Sequence, residues 1–158
     1  MLWTLEKAYC RGYQYSMKPM VAVLPFPVPE LLTGPGSVQT LPGKVKTRGI
    51  TNVLVVTDKG VMAAGLVAGL RRALDAVEVF YSIFDEVQPN PTIQNVEDGL
   101  KLYMTKRCTG IIAIGGGSPM DAAKTIALSV ANRKHPRKLV GYFKGLRAPV
   151  PVYAVPTT

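Results

Sequence analysis

AIGGGSPMDAAK, residues 113–124, decides how this chain is read. An apolar run leads into three glycines, a Ser-Pro pair follows, and then comes a stretch rich in alanine. The order reads as a buried strand, a turn of bare backbone and the start of a helix. A helix N-terminus presents unpaired N–H groups and a partial positive charge, so it attracts phosphate wherever nothing bulky blocks the approach. Gly115, Gly116 and Gly117 carry no Cβ atoms and let the backbone lie close to a diphosphate. Ser118 is placed as an N-cap, Pro119 suits the first helical position, and Asp121 completes a Ser-x-x-Asp capping box. A tight strand-to-helix turn with no ligand is the alternative, although it needs only one or two glycines. The string is neither the GxGxxG fingerprint nor a Walker A loop; it shares their mechanics.

The same alternation extends outward in both directions. TNVLVV at 51–56 reads as a strand, and Val61 to Leu74 is long enough for a helix. VEVFYSIF at 77–84 is a second strand; Ile93, Val96, Leu100 and Tyr103 then mark one face of a helix running to about residue 107. GIIAI at 110–114, a helix from Pro119 to about Ala131 and VPVYAV at 150–155 complete the pattern. Alternating strands and helices imply a doubly wound, mostly parallel α/β sheet, a Rossmann-like dinucleotide-binding domain. Such sheets bind ligands at the carboxyl ends of their strands, which places the loops starting at Asp58, Pro89, Gly115 and Pro156 on one edge. Asp58 stands where such sites hold an acid for an adenosine ribose; a carboxylate there repels a 2′-phosphate and favours NAD over NADP. A plain helix cap explains Asp58 equally well, and the same holds for Asn90 in PNPT.

The first 50 residues are less regular. Ser37 is placed like an N-cap, but Pro42 and Gly43 argue for a short or broken helix. Leu2, Leu5 and Tyr9 could share a helical face, or residues 1–24 could form an extended arm.

Composition narrows the function classes. With 158 residues, 47% hydrophobic and 18% charged, the chain reads as one globular domain. No apolar run reaches a membrane span and the first 20 residues lack a signal-peptide core, so a cytoplasmic protein is expected. Cys10 and Cys108 suggest no disulfide framework and are expected to be partly buried thiols; the single histidine, His135, argues against a His-rich metal site. The formal charge is +9, and no acidic residue follows Asp121. NRKHPRK at 132–138 is either a basic patch for nucleic acid or a solvated loop after a helix. It lacks aromatic interleaving, which favours the loop.

VLVVTDKG, VQPNPTIQNVEDG, AIGGGSPMDAAK and the closing PVYAVPTT, in that order over residues 25–158, resemble the iron-containing alcohol dehydrogenase family. A looser likeness extends to glycerol dehydrogenases and dehydroquinate synthases. The resemblance implies an NAD(P)-binding domain over 25–158 and hydride transfer between a primary or small secondary alcohol and NAD(P). It implies Asp58 near the adenosine ribose, with Asn90, Gly116, Gly117, Ser118 and Asp121 contacting the cofactor and Thr157 and Thr158 closing over its diphosphate and nicotinamide side. Lys124 matches the family's lysine, with packing favoured over binding as its role. Family members add a helical domain whose Asp and His residues hold iron or zinc; the resemblance places that domain outside these residues. The 158 residues alone are therefore expected to bind NAD, with NADP not excluded, and to turn over nothing. A polyol dehydrogenase, a cyclase-like relative and a non-catalytic nucleotide-binding module are the alternatives. A homo-oligomer is expected of the full-length protein, with an alcohol or aldehyde as substrate; neither a membrane nor nucleic acid is the expected partner.

Overall fold

The computed structural model describes residues 29–157 except 142, 143 and 146, together with Lys7, Cys10, Arg11, Gly12 and Tyr15. The chain divides into two compact units, Met1–Leu31 and Leu32–Thr158. In the first, Lys7, Cys10–Gly12 and Tyr15 are helical; Leu2, Leu5 and Tyr9 lie outside the described residues. Cys10 is exposed, not partly buried as its thiol was expected to be.

The second unit runs α1 (Ser37–Thr47), β1 (Asn52–Val56), α2 (Lys59–Ala63), α3 (Val67–Ala76), β2 (Phe80–Phe84), α4 (Ile93–Thr105), β3 (Gly110–Gly115), α5 (Gly117–Asn132), a 3-10 turn at Pro136–Leu139, and β4 (Val152–Pro156). All strand pairs are parallel, in the order β2-β1-β3-β4. This is the expected doubly wound α/β sheet. After β1 the chain steps outward to β2 and then returns to the far side of β1 for β3. The topological switch point, where such sheets form their ligand crevice, therefore lies between β1 and β3.

Side chains leave a strand alternately, and here both faces are covered. Leu54, Val56, Ile111 and Ala113 pack with Val96, Tyr103, Ala122, Ile126 and Ala127 of α4 and α5. Val53, Val55, Ile112 and Ile114 pack with Leu41, Val45, Val61, Leu70 and Leu74 of α1 to α3. Burial on both faces explains why β1 and β3 read as unbroken apolar runs rather than as alternating ones.

Four boundaries differ from the sequence expectation. The apolar stretch 61–74 is two helices, because Gly65 takes φ +71 and turns the chain between them. The second strand starts at Phe80 rather than residue 77, since Val77 caps α3 and Glu78 is left-handed. α1 is continuous through Pro42 and is capped by Gly36, not Ser37. The hydrogen bond lost at Pro42 is offset by burial of Leu41, Pro42 and Val45, so tertiary packing outweighs local propensity. α5 starts at Gly117, two residues before Pro119.

Candidate cofactor site

Parallel pairing gathers the loops after β1, β2, β3 and β4 on one edge, as expected. Thr57 fixes the centre of that edge. It is fully buried, its N–H donates to the Phe84 carbonyl at 2.9 Å, and its Oγ1 donates to the Ile114 carbonyl at 2.9 Å. The backbone ladder between β1 and β3 ends at Val56 and Ala113, so the Thr57 hydroxyl ties the two strands one residue further on. Asp58 and Gly115 follow immediately on either side.

Asp58 is the N-cap of α2; its Oδ1 accepts from the Val61 N–H at 2.9 Å. Its Oδ2 stands 3.4 Å from the point that a Cβ on Gly115 would occupy. The carboxylate therefore caps a helix and overhangs the glycine loop.

The three glycines do three different things. Gly115 has φ +143, and a Cβ there would meet Pro119 Cγ at 2.8 Å, so it lets the proline ring close over the strand end. Gly116 is the N-cap of α5 in extended conformation, with no side-chain hydrogen bond. Gly117 is the first helical residue, and nothing lies within 4 Å of its would-be Cβ. The expected capping box is not formed. Ser118 is the second helical residue and Pro119 the third, a position where the missing N–H has no intrahelical acceptor to lose. Asp121 lies beyond the first turn, and its Oδ1 is 3.4 Å from Lys124 Nζ, both side chains being exposed. Within the described residues Lys124 is exposed and pairs with Asp121. Among the described residues, none gives the first-turn amides of α5 a side-chain cap.

Asn90 does not cap α4. That role belongs to Thr92, whose Oγ1 accepts from the Asn95 N–H at 3.2 Å. Asn90 is exposed with φ +56, a conformation Asn tolerates better than other non-glycine residues. It shares an open groove of about 380 Å³ with Thr92, Asp121, Thr125 and Pro136. Thr157 donates its N–H to the Gly115 carbonyl at 3.2 Å, and Thr158 lies outside the described residues. The structure thus forms two groups on one edge: Asp58, the glycine loop and Thr157 at the switch point, and Asn90 with Asp121 in the groove beside it.

Sequence reasoning missed the buried polar residues, Thr57 and Asn95 beside this edge and Ser129 within α5. For Thr57 and Asn95 the signals are a threonine ending an apolar strand just before Asp58 and an asparagine in the first turn after PNPT.

Cys108, just before β3, lies at the opposite end of that strand from the glycine loop, whereas His135 adjoins the groove through Pro136. Burial pushes the Cys108 thiol up to about 11, so it stays protonated at neutral pH. His135 caps the 3-10 turn by accepting the Arg137 N–H on Nδ1 at 3.3 Å, and its Nε2 is 2.6 Å from Glu97. Asn132 binds both the N–H and the carbonyl of Arg147, so NRKHPRK belongs to a loop closed on itself after α5. Among the described residues, no three His, Cys, Asp or Glu side chains come together to hold a metal ion, and no helix is long and apolar enough to cross a membrane.

A parallel sheet with a glycine-opened helix N-terminus at its switch point defines the Rossmann-like class of α/β domains. The model of the family Iron-containing alcohol dehydrogenase matches residues 28–158, and the chain belongs to that family. Lactaldehyde reductase of Escherichia coli (strain K12) is 39% identical over 127 residues, 79% of this chain and 33% of the relative. Alcohol dehydrogenase 4 of Schizosaccharomyces pombe is 33% identical over 147 residues, 92% of this chain and 35% of the relative. The structure of an alcohol dehydrogenase from Oenococcus oeni superimposes with a TM-score of 0.73 at 32% identity, covering 79% of this chain and 33% of that one. The chain spans about a third of the length of these relatives.

Proposed function

We propose that residues 25–158 bind the nicotinamide dinucleotide of an alcohol dehydrogenase, NAD in preference to NADP. The observation that carries the reading is the start of α5. Its first-turn amides have no side-chain cap, and the space over Gly117 is open. A diphosphate there would accept hydrogen bonds from those amides and meet the positive end of the helix dipole. The residues fit the group: Gly116, Gly117 and Ser118 would cradle the diphosphate, and Thr157 and Thr158 would close over it. Asp58 uses Oδ1 as a helix cap, which leaves Oδ2 to accept from a ribose hydroxyl and to repel a 2′-phosphate. Asn90 and Asp121 would flank the bound cofactor from the groove.

When bound, the nicotinamide supplies the hydride acceptor for oxidation of an alcohol to a carbonyl. These residues position it and exclude bulk from its path. The E. coli relative is named a lactaldehyde reductase and the O. oeni structure an alcohol dehydrogenase, which supports a small alcohol or aldehyde as the substrate class of the whole protein. The metal that the family name implies would be held by residues outside the described set, and the whole protein would be a homo-oligomer. Alone, the chain would bind cofactor and turn over nothing.

Fluorescence titration with NADH and NADPH tests this directly. Saturable binding with NADH preferred is the expected result. Absence of binding to either would overturn the cofactor reading, and equal affinities would remove the role given to Asp58.

A further inference from the structure

The loop between β2 and α4 carries Asn90 in a left-handed conformation, yet Asn90 itself is exposed. What holds that loop is a residue three positions into α4. Asn95 is buried at 7% exposure, and both ends of its amide are spent on loop backbone. Oδ1 accepts from the Gln88 N–H at 3.2 Å, and Nδ2 donates to the Glu86 carbonyl at 2.7 Å. On the other side, the Val87 N–H points to the Thr57 carbonyl at 3.4 Å. The segment 86–88 is thus stitched between the end of β1 and the first turn of α4, and Asn90 follows two residues later. The Thr92 cap on the Asn95 N–H fixes where the clamp itself stands. A third-position side chain that reaches back past its own cap to bond the preceding loop satisfies a donor and an acceptor at once. An apolar residue there would leave both unpaired.

We infer that Asn95 is a positioning residue for the cofactor edge: it holds the 86–92 loop so that Asn90 faces the groove it shares with Asp121. This rests on the cofactor reading above only for its consequence in binding; the clamp on the loop has its own readout. Asn95→Ala removes both side-chain bonds. NAD binding should weaken about fivefold to tenfold, the worth of one or two such hydrogen bonds. The Gln88 amide should exchange its hydrogen about fivefold faster or more. Leu70→Val, in the core on the other face of the sheet, is the comparison: it should lower the melting temperature and leave both quantities unchanged. Asn95→Asp keeps the acceptor and loses the donor. Protonating that carboxyl at low pH restores an O–H for the Glu86 carbonyl, so its affinity relative to the unaltered chain should recover as pH falls.

Calorimetry with NAD and amide exchange by NMR decide the matter. If Asn95→Ala binds NAD as tightly as the unaltered chain, or leaves Gln88 exchange unchanged, the inference is overturned. If the unaltered chain binds no NAD at all, the cofactor reading falls. Gln88 exchange then decides alone, faster exchange upholding the clamp and unchanged exchange overturning it.

Discussion

Replacing the glycines of the loop one at a time by alanine separates packing from ligand access. Gly115→Ala forces an L-residue to φ +143 and sets its Cβ 2.8 Å from Pro119 Cγ. The backbone conformation costs about 1–2 kcal/mol by analogy with other left-handed positions. The contact is with a closed ring that is buried in the first turn of α5, so it cannot swing aside as a long side chain would; overpacking of this kind costs about 1–3 kcal/mol. The sum, about 2–5 kcal/mol, is a large part of the stability of a domain this size. Gly117→Ala differs in kind. Its Cβ enters open space at the first helical position, and exchanging glycine for alanine in a helix gains up to about 1 kcal/mol. That same methyl occupies the approach to the α5 amides. Urea denaturation and NADH titration of both variants should therefore dissociate: Gly115→Ala shifts the midpoint sharply downward, whereas Gly117→Ala leaves it unchanged or raised and weakens NADH at least tenfold. A Gly117→Ala chain that binds NADH normally would refute the cradle, and a Gly115→Ala chain of full stability would refute the account of Pro119.

Asp58→Ser keeps an N-cap acceptor for Val61 while removing the charge, so stability should change by less than about 0.5 kcal/mol. NADPH affinity should rise about tenfold toward that of NADH, read by fluorescence. Thr57→Val leaves the Ile114 carbonyl without the Thr57 hydroxyl and should cost about 1–3 kcal/mol in urea denaturation, with weaker NADH binding as the strand ends part. A thiol reagent should modify exposed Cys10 quickly and Cys108 only on unfolding. Burial raises Cys108 from 9.0 to about 11 and Tyr103 from 10.0 to about 12. Both are neutral in the fold where the unfolded chain would ionise them, so their contribution is intact below about pH 9 and lost between pH 9 and 12. Denaturation across that range should show the decline, and Cys108→Ala should make it shallower.

Much of the fold could be read from the chain because the sheet is buried on both faces. An apolar run such as Val53 to Val56 has few alternatives when helices must cover both sides, and the spacing of Ile93, Val96, Leu100 and Tyr103 sets the helical face. The boundaries were less legible for reasons local to each. Pro42 signals a broken helix, yet the packing of Leu41 and Val45 on α3 carries the helix through it. Gly65 looks like a tolerated interruption in an apolar helix until its positive φ is known. Ser118 and Asp121 have the composition of a capping box and point to a later start for α5, whereas a glycine N-cap leaves no such mark.

Where α5 starts bears on how the site works. A Ser118 cap would spend a side-chain oxygen on the α5 amides, and a ligand would have to compete with it. With Gly116 in that position no side-chain oxygen competes, so the helix N-terminus satisfies its donors with water or with an anion. Relative to serine or aspartate the glycine cap costs the helix only roughly a few tenths of a kcal/mol, and a diphosphate that accepted those hydrogen bonds would recover it on binding. The same division explains why one glycine would not serve. Gly115 answers to the Pro119 ring, Gly116 to the turn into the helix and Gly117 to the open space above it, so each substitution should fail, or succeed, for its own reason.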